Sequence, residues 1–201
     1  MQKFAPISLS TDGTPPTTEV RNADAKWHNR SVKLTFVATD NAGGSGVDFT
    51  EYKIGDGGWT PGTSATVPAP ANHSGDGPVT VRYRSVDREG NEERANVVKV
   101  YIDTTPPNVT VRNAYVGKGK RAVVRFAVRD ALSAKVRVVA AIETTSFRVL
   151  HQAESGWIAQ GGTNGWRFTA HFSTGWYRIR IVAYDLAGNR SGPGIARLVV
   201  H

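Results

Sequence analysis

Cysteine is absent from the 201-residue chain. A chain without cysteine cannot form a disulfide framework, a cysteine-ligated zinc site, an iron–sulfur cluster or a thiol nucleophile. Long apolar runs are also missing, so no segment is predicted to span a membrane as a helix. The first residues lack the apolar stretch of a secretory signal peptide. We therefore expect the chain to be a segment of a longer protein with flanking domains.

Motifs that would indicate catalysis are missing as well. The five histidines show no His-Glu-x-x-His spacing, and the chain has neither a Gly-x-Ser-x-Gly elbow nor a Gly-x-x-x-x-Gly-Lys-Ser/Thr phosphate-binding loop. No known nucleic-acid-binding motif is present either. The sequence therefore predicts a protein that is not an enzyme, carries no organic cofactor and does not bind specific nucleic-acid sequences.

Acidic residues are scarce in the second half of the chain. Residues 1–103 contain 11 Lys and Arg against 13 Asp and Glu, a net charge of −2. Residues 104–201 contain 14 Lys and Arg against 4 Asp and Glu, a net charge of +10. A basic segment of this kind favours a polyanionic partner. The alternative is that the charge serves only solubility.

Three motifs occur twice in the same order, at offsets of about 90–98 residues. Asp12-Gly-Thr-Pro-Pro matches Asp103-Thr-Thr-Pro-Pro, the strand-like segment ending at Asp40 matches the one ending at Asp130, and Asp87-Arg-Glu-Gly-Asn91 matches Asp185-Leu-Ala-Gly-Asn189. A fixed order and spacing indicate two copies of one module. We predict module one at residues 1–103 and module two at residues 104–201, with a proline-stiffened linker between them.

Each module reads as a series of short strands. In segments such as Val32–Phe36, Val79–Arg84 and Tyr177–Ile181 apolar and polar residues alternate, which is the period of a half-buried strand. Clusters of Gly, Asn and Asp separate these segments and favour turns. Only Asp130–Ala141 is ambiguous, and its β-branched residues favour a strand. The prediction is an all-β protein of two tandem antiparallel sandwiches.

The repeated motifs give the chain a family resemblance. It resembles tandem bacterial immunoglobulin-like (Ig-like) modules of secreted and surface-anchored proteins. The motifs that carry this resemblance are the Asp-Thr-Thr-Pro-Pro linker and the segments Thr39–Val47, Tyr52–Trp59 and Tyr83–Asn91. Module two is divergent, because residues 131–176 lack the Ser-Gly-Val loop and the Asp-Gly-Gly-Trp turn. The resemblance implies a secreted or cell-surface location and a role as spacer, adhesive unit or accessory domain.

The order of strands in an Ig-like sandwich would bring the repeated acidic residues together at one pole of each module. The predicted groups are Asp12, Asp40, Asp87 and Asn91 in module one, and Asp103, Asp130, Asp185 and Asn189 at the junction. Three carboxylates and an amide oxygen suit Ca²⁺, which prefers oxygen ligands. The alternative is that each aspartate only caps its own turn.

The basic residues of module two are predicted to share one sheet face. Alternation places them outward on three strands that are neighbours in an Ig-like sandwich. The predicted anion- or glycan-binding residues are Lys135, Arg137, Arg178, Arg180 and Arg197, flanked by Trp176 and Tyr184. Arginine forks bind anionic groups bidentately, and a flanking ring can stack on a sugar. The alternative is an ordinary solvated face that protects the sheet from aggregation.

These observations lead to two hypotheses about function. The first is a non-catalytic spacer and adhesion region of an extracellular or cell-surface bacterial protein. The second is an accessory module that binds an anionic polysaccharide, a cell-wall polymer or another glycan beside a secreted enzyme. Calcium is the only cofactor that the sequence suggests.

Overall fold

The computed structural model describes residues 11–201, and all regular structure in this part of the chain is β. The alternation of apolar and polar residues explains the strands. In strand β11 (Arg121–Arg129), Ala122, Val124, Phe126 and Val128 are buried, and the residues between them are at least partly exposed. The predicted all-β class is confirmed, and the described residues contain no helix that could cross a membrane.

The strands of the first half range from two to eleven residues in length. They are β1 (Thr17–Arg21), β2 (Trp27–His28), β3 (Val32–Thr39), β4 (Val47–Ile54), β5 (Thr60–Pro61), β6 (Ser64–Val67), β7 (Gly77–Asp87) and β8 (Asn96–Ile102).

The strands of the second half are longer on average. They are β9 (Asn108–Val111), β10 (Ala114–Val116), β11 (Arg121–Arg129), β12 (Lys135–Glu143), β13 (Val149–Ala159), β14 (Thr163–Thr169), β15 (Gly175–Tyr184) and β16 (Gly194–Val200). The ambiguous segment 130–141 forms most of strand β12.

The chain divides into two compact units. The first contains the described residues up to Ala25 together with Ser31–Pro68 and Pro78–Tyr101. The second contains Ile102–His201 and two short earlier segments, Lys26–Arg30 and Ala69–Gly77. The module boundary predicted at residue 103 stays a prediction, since these units are defined by compactness and not by the repeat.

The first unit is built from two layers of strands. One sheet has the order β1-β3-β6, and the other contains β8, β7, β4 and β5 in that order. The layers bury Leu34, Val67, Val81 and Val100 almost completely. Phe36 stacks on Tyr83, with ring centroids 4.9 Å apart.

The second unit is also a two-layered sandwich. A sheet of order β14-β11-β9 packs against a five-stranded sheet of order β10-β16-β15-β12-β13. Apart from the parallel pair β10–β16, the pairs described in this unit are antiparallel. Ile142, Ile179, Ile181 and Leu198 are completely buried between the sheets. Burial of each such side chain contributes about 1.5–3 kcal/mol of hydrophobic stabilisation.

Candidate functional site

Two clusters of three aspartates lie at strand ends, as the repeat predicts. We call Asp12, Asp40 and Asp87 the first acidic cluster, and Asp103, Asp130 and Asp185 the second acidic cluster. In each cluster, one carboxylate oxygen from every residue lies within 4.8 Å of the others. Asp40 and Asp130 directly follow β3 and β11, while Asp87 ends β7 and Asp185 directly follows β15.

Hydrogen bonds satisfy the carboxylates of the first acidic cluster. Asp12 accepts from the backbone N–H groups of Thr14 and Ser45 at 3.1 and 2.9 Å. These backbone hydrogen bonds, that of Ser45 foremost, lower the pKa of the Asp12 carboxyl. Both oxygens of Asp40 and of Asp87 also accept hydrogen bonds from their own loops.

The second acidic cluster is more deeply buried and has fewer donors. Asp103 and Asp185 are 0% and 1% exposed. Asp130 accepts from the backbone N–H groups of Leu132 and Ser133 through Oδ1. Its Oδ2 is buried and has no hydrogen-bond partner in the described part of the chain. A buried carboxylate oxygen without a donor is costly, so this cluster is electrostatically under-compensated.

The pKa values of the second acidic cluster reflect this burial. Desolvation, followed by repulsion from Asp185 and Asp130, raises the pKa of Asp103 to about 6. Burial is also the main reason that the pKa of Asp185 is raised, although Asn189 opposes the effect through its hydrogen bonds. A bound cation would favour the charged forms of all three carboxylates.

The two asparagines act as hydrogen-bond donors in both clusters. Asn189 Nδ2 donates to Asp185 Oδ2 and to the carbonyl of Asp103, at 2.8 and 2.7 Å. Asn91 makes the equivalent bonds to Asp87 and Asp12. These bonds agree with the turn-capping alternative and tie the two turns to the backbone ahead of β1 and of β9. That the amide oxygens bind Ca²⁺ stays a prediction.

The basic residues predicted in module two lie on adjacent strands of the five-stranded sheet. We call the outer surface of β12, β15 and β16 the arginine face. Cross-strand pairing places Arg178 opposite Arg197 and Arg137 opposite Tyr184. Lys135 and Arg197 are exposed, whereas Arg178 and Arg180 are only partly exposed. The arginine face carries Lys135, Arg137, Arg178, Arg180, Arg197, Trp176 and Tyr184.

Two glutamates that the sequence analysis did not include share this face. Arg180 Nε donates to Glu143 Oε1 at 2.5 Å, and Arg178 Nε lies 3.7 Å from Glu143 Oε2. Glu143 is buried at 4% exposure. Arg137 pairs with Glu154 of β13. Residues two apart in β12 lie on the same side, so Glu143 lies on the same side as Lys135 and Arg137. This alternation is the sequence signal that could have identified Glu143 as part of the arginine face.

Arginine–aromatic stacking recurs three times on the arginine face. Arg137 lies 4.7 Å from the ring centroid of Tyr184, Arg178 lies 4.8 Å from Phe147, and Arg197 lies 4.9 Å from Trp176. Phe147 comes from the β12–β13 loop and was not predicted as a site residue. Such stacks fix the planes of the guanidinium groups while leaving their N–H edges available to bind.

The first unit has an even charge balance at its own stacked arginine. Arg84 lies 4.3 Å from the ring centroid of Trp59 and pairs with both Glu51 and Glu92, and Lys53 lies over the same ring at 5.3 Å. Two cations there accompany two carboxylates, whereas in the second unit Glu143 pairs with two arginines. The cationic surplus is therefore a property of the second unit.

Comparisons with known proteins find similarity among solved structures, at low sequence identity. The sequence matches no family model and no curated protein. Among solved structures, the fibronectin(III)-like modules of Clostridium thermocellum CbhA are 15% identical, with a TM-score of 0.45 over 92% of this chain and 94% of that one.

Two further solved structures are similar to the same degree. A tetra-tandem repeat from the extending region of a large adhesion protein is 18% identical, with a TM-score of 0.41 over 92% of this chain and 49% of that one. The D00-D0 domain of intimin is 10% identical, with a TM-score of 0.42 over 90% and 98% of the two chains. The predicted all-β sandwich architecture is confirmed by the two layered units of the structure itself.

Proposed function

We propose that this chain is a non-catalytic, tandem Ig-like spacer and adhesion region of an extracellular or cell-surface bacterial protein. The duplication of the acidic cluster is the observation that carries this proposal. Each acidic cluster brings together the segment ahead of the first strand of a unit (β1 or β9) and the ends of two later strands of that unit (β3 and β7, or β11 and β15). Contacts of this kind hold the strands of a module together. A repeated module that is stabilised by its own acidic cluster suits a spacer between flanking domains.

Calcium is the cation that we propose for the second acidic cluster. Three carboxylates supply the hard oxygen ligands that Ca²⁺ prefers, and the unpartnered Oδ2 of Asp130 supplies an oxygen that no donor occupies. An ion here would join Asp103, which precedes β9, to the ends of β11 and β15. It would therefore stabilise the second unit against unfolding.

Thermal unfolding of the full chain in Ca²⁺ and in chelator tests this proposal. At 100 times its dissociation constant, Ca²⁺ should raise the free energy of unfolding by about 2.7 kcal/mol, because it binds only the folded state. Asp130→Asn should abolish most of this gain, and the exposed control Asp56→Asn should retain it. Identical melting curves with Ca²⁺ and with chelator would refute the metal site.

A second candidate function is an accessory module that binds an anionic polymer beside a secreted enzyme. Two arginines, Arg178 and Arg180, share the single carboxylate of Glu143, and this positive surplus favours the binding of an anionic polymer. Arg197 adds to the surplus. Among the residues that the structure describes, Arg197 stacks on Trp176 and forms no ion pair. Cations without a local counter-charge are available to a polyanion.

Retention on a heparin column at increasing salt tests this second function. Because binding to polyanions is driven largely by counterion release, retention should fall steeply as the salt concentration rises. Arg197→Gln should elute at clearly lower salt than the parent chain. Arg82→Gln, which removes one charge from β7 of the first unit, should have a smaller effect. Equal shifts for the two variants would show that net charge alone causes retention.

A further inference from the structure

A groove of about 400 Å³ crosses the arginine face near the Arg178–Arg197 pair. Its lining includes Asn113, Thr145, Trp176, Arg178 and Arg197. The volume lies within the range of small-molecule sites, about 300–1,000 Å³. The groove therefore has room for a small ligand beside these two arginines.

The two arginines of the groove retain binding capacity. Glu143 Oε1 is taken by Arg180, and Arg178 approaches Glu143 Oε2 through its buried Nε at 3.7 Å, which leaves the terminal N–H groups of Arg178 for a ligand. Arg197 is held by stacking on Trp176 and not by a carboxylate. Two oriented guanidinium groups in one groove match a planar carboxylate, which they can bind through paired N–H donors.

The aromatic residues favour a ring-shaped ligand. Trp176 is 55% exposed and lines the groove, while Phe147, stacked on Arg178, is 64% exposed. Exposed aromatic faces gain contact area from a flat apolar surface, which a sugar ring has and a bare polyphosphate lacks. Asn113 Oδ1 already accepts from Arg197 N at 2.9 Å, so its amide nitrogen can donate to a ligand oxygen.

We infer that this groove binds a carboxylated sugar unit of an acidic polysaccharide. The inference rests on the second proposed function, the binding of anionic polymers, and names the polymer class and the site. The carboxylate would lie against Arg178 and Arg197, and the sugar ring against Trp176. Neutral polysaccharides lack the group that the arginines recognise, and polyphosphates lack the ring.

Isothermal titration of the full chain with tetragalacturonate tests this inference. The neutral galactose tetramer and a polyphosphate of similar charge serve as comparison ligands. We expect tetragalacturonate to bind at least about tenfold more tightly than either, since loss of one well-placed contact of about 1.4 kcal/mol is a tenfold change. Trp176→Ala and Arg197→Gln should each weaken its binding by about tenfold or more.

Matched controls lie outside the groove. Arg121→Gln in β11 removes one exposed charge and Trp157→Ala removes a ring that is 51% exposed, and each should change the affinity less than about threefold. Binding of polyphosphate but not tetragalacturonate would overturn the inference and leave the second function standing. Absence of binding to both anions would refute the inference and, for these polymers, the second function. Unchanged binding in Trp176→Ala would overturn the inference by itself.

Discussion

Asp103 combines full burial with two carboxylate neighbours. In the absence of a cation, its raised pKa means that the folded state binds a proton more readily than the unfolded chain. The contribution of this group to the free energy of unfolding is therefore largest below about pH 4. It is lost as the pH rises towards the folded pKa of about 6.

The variant Asp103→Asn should remove the free-energy cost of keeping a buried, ionised carboxylate at neutral pH. In chelator, the variant should be about 3 kcal/mol more stable than the parent chain at pH 7, and the difference should fall to a small fraction of this near pH 4. In saturating Ca²⁺ at pH 7 the order should reverse, because the variant lacks one ligand. Chemical denaturation at several pH values measures both effects, and a difference that does not vary with pH would contradict this account of Asp103.

At the scale of elements, β16 approaches β9 at a glycine. A Cβ atom added to Gly194 would lie 2.6 Å from Cγ1 of Val109 and 2.8 Å from Cγ2 of Val111. Gly194 is buried, and both valines, which are partly buried, pack against the hydrophobic core of the second unit. The close packing of β9 on the five-stranded sheet therefore depends on the missing side chain.

Gly194→Ala should destabilise the chain by about 1–3 kcal/mol, which is the usual cost of overpacking a core. Gly156→Ala in β13 is the matched control, because a Cβ there has no heavy atom within 4 Å. That control should be neutral or slightly stabilising, since alanine restricts the unfolded chain. Equal stability of the two variants in urea denaturation would show that β9 shifts to accommodate the added methyl group, which would contradict the prediction.

For the whole molecule, the two halves of the chain differ both in net charge and in how completely their acidic clusters are hydrogen-bonded. The first half has a net charge of −2 and its stacked Arg84 is neutralised by two glutamates, whereas the second half has a net charge of +10. The carboxylates follow the same division. The first acidic cluster is satisfied by hydrogen bonds, and the second leaves Asp130 Oδ2 without a donor. Ligand binding in both proposals is therefore concentrated in the second unit.

Alternation and repetition in the sequence determined the all-β class and the pairing of strand ends that forms each acidic cluster. These properties are local or periodic, so the order of residues is sufficient to predict them. Alternation also placed Arg178, Arg180 and Arg197 on one face. It could not show that Glu143 balances two of them, since that contact joins β12 to β15 across 37 residues.

Only the tertiary structure distinguished the two acidic clusters, which look alike as motifs. Burial depends on how distant loops pack, and it separates Asp103 from Asp12. The distribution of donors separates Asp130 from Asp40, because both donors to Asp130 bond to Oδ1, whereas Asp40 accepts one on each oxygen. The stacking of Phe147 on Arg178 and the groove beside Trp176 arise in the same way, because a loop and two strands meet there. Periodicity specifies which way a side chain points, and packing decides what it contacts.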